Sequence, residues 1–132
     1  MATEENSWKA HLAHVREKGV LAMQLYVIFT RPTGRLDEIK QHLPEHLAFQ
    51  KELESKGIMF GAGPLADEEE QAWTGEGMVI VRAGSVQEAR EIAASDPMHK
   101  SGARSFTVRP WMLNEGSISL RVTFSDGGRE IA

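Results

Sequence analysis

The order in which two periodicities follow one another along this chain constrains its fold more than any other feature. Between residues 24 and 111, short apolar or alternating runs suited to strands are separated by segments whose apolar residues recur every three or four positions. Leu25-Tyr26-Val27-Ile28-Phe29 reads as a first strand, ended by Pro32 and Gly34. Residues 36–56 read as a helix with one apolar row of Leu36, Ile39, Leu43 and Leu47 and a second of His42, His46, Phe49 and Leu53. Pro44 lies inside it and cannot donate an i→i−4 bond, so the helix is expected to break or restart there. Gly57 suits the stop. Ile58-Met59-Phe60 is a short second strand closed by a Gly61-Ala62-Gly63-Pro64 turn. Residues 67–76 form a polar, acidic loop whose one large apolar residue is Trp73, and residues 77–82 form a third strand. Ser85 and Glu88 make a capping box for a second helix with Ala89, Ile92 and Ala93 on its apolar stripe. Asp96-Pro97 ends that helix and caps a following turn, and residues 105–111 alternate as a fourth strand around Phe106 and Val108.

The resulting β-α-β-β-α-β order is the split βαβ pattern of a ferredoxin-like α+β domain with a four-stranded antiparallel sheet. Two helices cover one sheet face. The other face, if left apolar and open, favours pairing with a second copy, so a homodimer is expected. An extra helix over residues 5–18, striped by Trp8, Leu12 and Val15, precedes this core. A fifth strand over residues 117–124 follows it, and the tail from Gly127-Gly128 onward is expected to fray. One domain is expected to span residues 1–132.

Composition removes whole classes of chemistry. The absence of cysteine rules out disulfides, thiolate metal sites and thiol nucleophiles. A net charge of −4 argues against a nucleic-acid or basic membrane-surface partner. The longest apolar run, residues 20–29, is about half of what spans a bilayer. With no cleavage-site pattern after it, the expected location is cytoplasmic. His42 and His46 are spaced i, i+4, but Glu45 falls on a different face and Pro44 disturbs the helix, so no metal and no cofactor is expected. His11 and His14 read as solvated. The Gly61–Pro64 segment lacks the spacing of a phosphate loop, and no serine sits in a nucleophile elbow.

Several residues, taken in order, resemble the YciI-like, or YCII-related, family. They are Leu25-Tyr26-Val27-Ile28 in the first strand, Pro44-Glu45-His46-Leu47 in the main helix and Gly63-Pro64 after strand two. Ser95-Asp96-Pro97, Gly102 and Val108-Arg109-Pro110-Trp111 complete the set. The resemblance covers residues 24–113, leaving 1–23 and 114–132 as extensions outside the family core. It implies a dimeric α+β barrel and a His–Asp pair in a cleft, here His46 and Asp96, with dehydrochlorination of a chlorinated hydroxyquinol linked to at least one member type. Many members carry an arginine three residues before the histidine. That position is Leu43 here, which implies a site poorer in fixed positive charge and a neutral or weakly anionic substrate.

Imidazole suits general acid–base work near neutrality, and a carboxylate on its second nitrogen fixes the tautomer and stabilises the imidazolium. A proton-transfer reaction on a small carbonyl or phenolic compound, carried out by a lyase, isomerase or dehydrochlorinase, is one reading. Its catalytic residues are His46 and Asp96, with Tyr26, Phe60, Gly63 and Trp111 around the substrate. In the other reading the cleft belongs to a non-catalytic ligand-binding or accessory module. His46 then packs on Phe49 and Asp96 caps a turn.

Overall fold

The structure, a computed structural model, describes residues 6–132; residue 5, the start of the expected first helix, lies outside them. The elements in chain order are α1 (Trp8–Glu17), β1 (Met23–Pro32), α2 (Leu36–Ser55), β2 (Met59–Pro64), β3 (Gly77–Val81), α3 (Val86–Ala94), α4 (Pro97–Lys100), β4 (Arg104–Leu113), β5 (Leu120–Val122) and β6 (Arg129–Ile131). The chain divides into two compact units. One is Gln24–Trp111, and the other combines the described part of Met1–Met23 with Met112–Ala132. Among the described residues no helix is long and apolar enough to cross a membrane.

The first unit is the expected ferredoxin-like α+β fold. Its antiparallel sheet has the order β2-β3-β1-β4, which places β1 and β3 at the centre and β2 and β4 at the edges. Strand alternation sends Tyr26, Ile28, Val79 and Val81 to one face. There they pack with Phe106 and Val108 against Ala89 and Ala93 of α3. The small alanines let that helix lie close to the sheet. On the opposite face Leu25, Val27 and Ile80 are buried, Phe29 and Met78 are half-buried and Trp111 is exposed.

Three local expectations are corrected. The α2 helix runs without interruption through Pro44. Proline removes one donor, the bond to the Lys40 carbonyl, and the contacts of α2 with α4 and β2 hold the helix through it. The Gly61–Pro64 segment is not a turn but part of β2, paired as Gly61↔Ile80, Ala62↔Val79, Gly63↔Met78 and Pro64↔Gly77. A bulge at Phe60 resets the register, and an edge strand tolerates both glycine and a terminal proline.

The third correction lies in the second unit. The tail is not frayed: β6 pairs with β5 as Leu120↔Ile131, Arg121↔Glu130 and Val122↔Arg129. The connection is held by Asp126, whose carboxylate accepts from the Thr123 hydroxyl and, at 2.9 Å, from the Gly128 N–H. These bonds hold the Asp126 carboxyl below its ordinary pKa. In the same unit α1 is capped by Ser7, whose hydroxyl accepts from the Ala10 N–H at 3.1 Å. Leu12 and Val15 on its stripe are half-buried, and Trp8 is exposed.

Candidate functional site

The site begins with how the chain leaves α3. Ser95 closes that helix, and Asp96 sits in extended conformation as the N-cap of α4. Pro97 fills the first helical position, where a missing N–H costs nothing. The Asp96 carboxylate accepts from the Met98 N–H at 2.9 Å. The α4 turn packs on α2, and this brings Asp96 to His46, half a turn beyond Pro44. His46 Nδ1 lies 2.9 Å from Asp96 Oδ1 and 2.8 Å from Oδ2. A carboxylate only accepts, so Nδ1 carries the proton and Nε2 is the nitrogen left for chemistry. No hydrogen bond engages Nε2 among the described residues. Asp96 is 6% exposed, so its charge faces the imidazole and the turn rather than water. The turn-capping and His-orienting readings are therefore not alternatives: one carboxylate does both.

The His46 ring lines a cavity of about 310 Å³ between α2, α4 and one end of the sheet. Leu43 and Leu47 of α2, Met98 of α4, and Val79 and Met78 of β3 give it mostly apolar walls. Thr30, Gln50, Glu76 and Arg104 supply polar groups, while Gly63 and Gly77 let the β2–β3 backbone form part of the wall. Gly77 is buried, and a Cβ there would come within 3.3 Å of the Thr30 methyl. Trp73 reaches the cavity from the acidic loop, its indole N–H donating to the Glu76 carbonyl at 2.8 Å.

Of the residues expected at the site, the structure brings together His46, Asp96 and Gly63. It places the others elsewhere. Tyr26 is in the core against α3. Phe60, at the bulge, packs its ring under the Arg82 guanidinium, 5.3 Å from the centroid. Trp111 lies near the far end of the edge strand β4. Neither Phe60 nor Trp111 lines the cavity. His42 approaches Glu45 at 3.8 Å on the exposed side of α2, and among the described residues no three His, Cys, Asp or Glu side chains are grouped to hold a metal ion.

Two residues escaped the sequence reading. His99 sits beside Asp96, its Nδ1 donating to the Ala93 carbonyl at 2.6 Å and its Nε2 2.9 Å from the Thr30 hydroxyl. Its ring stacks obliquely on Phe106, 4.6 Å between centroids. Burial lowers its pKa against the opposing pull of the Ala93 carbonyl and Asp96, so the ring is neutral and accepts from Thr30. Arg104, at the start of β4, also lines the cavity and brings a positive charge to it, while Leu43 brings none. Local sequence carried a signal for neither: His99 lies in a four-residue helix, and Arg104 follows a glycine turn whose direction only the fold sets.

Comparison with known proteins fits this architecture. YjpA of Bacillus subtilis (strain 168), an uncharacterized protein, is 29% identical over 93 residues, which are 70% of this chain and 100% of that protein. Among the solved structures that match is one with a TM-score of 0.53 and 24% identity, covering 66% of this chain and 92% of the other. It is 5-chloro-2-hydroxyhydroquinone dehydrochlorinase (TftG) from Burkholderia phenoliruptrix AC1100, in complex with 2,5-dihydroxybenzoquinone. At that identity the likeness establishes the fold alone. The sequence model of the YCII-related domain matches residues 23–112, the stretch that holds β1 to β4, the His46–Asp96 pair and the cavity, and on that match the chain belongs to the YCII-related family.

Proposed function

We propose that this protein is a small-molecule lyase or isomerase in which His46 moves a proton and Asp96 orients it. The observation that carries the reading is the contact of both Asp96 oxygens with His46 Nδ1, at 2.9 and 2.8 Å, while the ring lines an apolar cavity. Nε2 takes a proton from an acidic O–H or C–H of the bound compound. Asp96 stabilises the imidazolium that forms. The proton then returns to another atom of the same molecule, or it leaves with a departing anion. Loss of HCl from a chlorinated hydroxyquinol, the reaction named for the structurally similar dehydrochlorinase, is one such process. It needs no redox partner, because proton and chloride leave together. A cavity of about 310 Å³ accepts a single substituted ring.

The working unit in this reading is a homodimer. The C-terminal hairpin leaves Ile118, Leu120, Phe124 and Ile131 exposed, and these apolar side chains offer a second copy a contact surface. The test of function is a screen of chlorinated phenols and small keto acids on the purified protein, with His46→Ala as the control. Conversion by the wild type and none by His46→Ala supports the proposal. Conversion at the same rate by both leaves the cavity a binding site without acid–base catalysis.

A further inference from the structure

The polar inventory of the cavity is lopsided in a way that proton transfer by His46 does not use. Asp96 is committed to His46 and to the Met98 N–H. Thr30 is committed to His99. Arg104 is different. Its one hydrogen bond among the described residues runs from Nη1 to the Gly75 carbonyl. Its Nε is buried without a hydrogen-bond partner, and no carboxylate lies within ion-pair distance of it among the described residues. An arginine that gives up water without gaining an anion costs free energy in the empty protein, which an anion entering the cavity offsets.

We propose that Arg104 is the anion-holding residue of this cavity, and that the ligand it selects is a small apolar ring or chain bearing one ionised oxygen, a phenolate or an enolate. The walls set the rest of that class. Leu43, Leu47 and Met98 leave the carbon skeleton only apolar contact. Glu76 is exposed at the cavity and opposes a second negative charge, so the site favours a monoanion over a dianion. Burial pulls the Arg104 pKa down and the Asp96 charge pulls it up, and guanidinium remains charged at neutral pH. The inference deepens the reading of this cavity as the reaction site, because an oxygen held as its anion is the form from which electrons move toward a carbon or a leaving group.

A binding experiment separates this inference from the catalytic one. The probes are 2,4-dinitrophenolate, ionised at neutral pH, and 2,4-dinitroanisole, the same ring with that oxygen methylated. Calorimetric titration of the full chain is expected to show the phenolate bound at least about tenfold more tightly than the anisole, the scale of a hydrogen bond to a charged group. Arg104→Met is expected to abolish the preference by weakening the phenolate alone, and Arg104→Lys to keep part of it. If loss of the Gly75 tether unfolds Arg104→Met, Arg104→Gln retains a donor without the charge and is expected to lose the preference as well. Equal binding of both probes by the wild type, no binding of either, or an unchanged preference in a folded Arg104→Met or Arg104→Gln overturns the proposal. If the preference stands while His46→Ala leaves turnover intact, the acid–base reading fails and this one survives.

Discussion

At the scale of single residues, the two roles of Asp96, capping α4 and holding His46, are separable. Asparagine is as good an N-cap as aspartate but brings no charge to the imidazole. Asp96→Asn is therefore expected to keep the melting temperature close to that of the wild type while lowering turnover; Asp96→Ala loses both, with a stability cost of about 1 kcal/mol for the cap. Circular dichroism melts beside turnover on the same preparations check the split. His99 gives a pH dependence of its own. Its pKa in the folded protein lies below its unfolded value of about 6.5. As pH falls through that value the unfolded chain takes up a proton that the folded one refuses, so stability drops until the folded pKa is reached. Denaturant melts between pH 8 and pH 5 should show this decline, and His99→Gln should flatten it. Gly75 is demanded twice over. It adopts φ +92°, and a Cβ there would sit 2.9 Å from Pro32 Cγ. Gly75→Ala is expected to cost about 1–3 kcal/mol, read from the same melts. These residues also mark what sequence made legible. His46 and Asp96 are paired by the family resemblance, since nothing in the local sequence around either residue brings them together. His99, Arg104 and Gly75 owe their roles to partners far along the chain, Thr30, the cavity and Pro32, and no local pattern carries that.

At the scale of elements, the strands and helices with a strong period were legible, and the departures have local physical causes. Pro44 signalled a break, yet α2 continues, its contacts with α4 and β2 outweighing one lost bond. Pro44→Ala restores the donor toward Lys40 and is expected to stabilise the protein by about 1–3 kcal/mol in urea melts. If stability falls instead, the proline fits a bend that the packing of α2 requires. The glycines at 61 and 63 read as a turn because glycine weakens a strand signal. Pairing with Val79 and Met78 of β3 overrides that tendency. The C-terminal hairpin escaped notice because β6 has three residues, too few to display a period, and it forms only against β5.

At the scale of the whole molecule, the order β-α-β-β-α-β was enough to specify the four-stranded sheet, since so few connections satisfy it. On the sheet face opposite the helices Leu25, Val27 and Ile80 are buried while Trp111 is exposed, and further exposed apolar side chains lie on α2 (Leu36, Leu43, Leu47) and along the C-terminal segment (Ile118, Leu120, Phe124, Ile131). Light scattering is expected to give a dimer mass, with a double variant of Phe124→Ser and Ile131→Ser shifting it toward the monomer. A monomer mass for the wild type would remove the dimer from the account. The central claim, that His46 held by Asp96 transfers a proton of the substrate, is tested most directly by chloride release from 5-chloro-2-hydroxyhydroquinone. The account predicts turnover by the wild type and a loss of about 10²–10⁴-fold in a folded His46→Ala protein. Equal rates in the two proteins would contradict it.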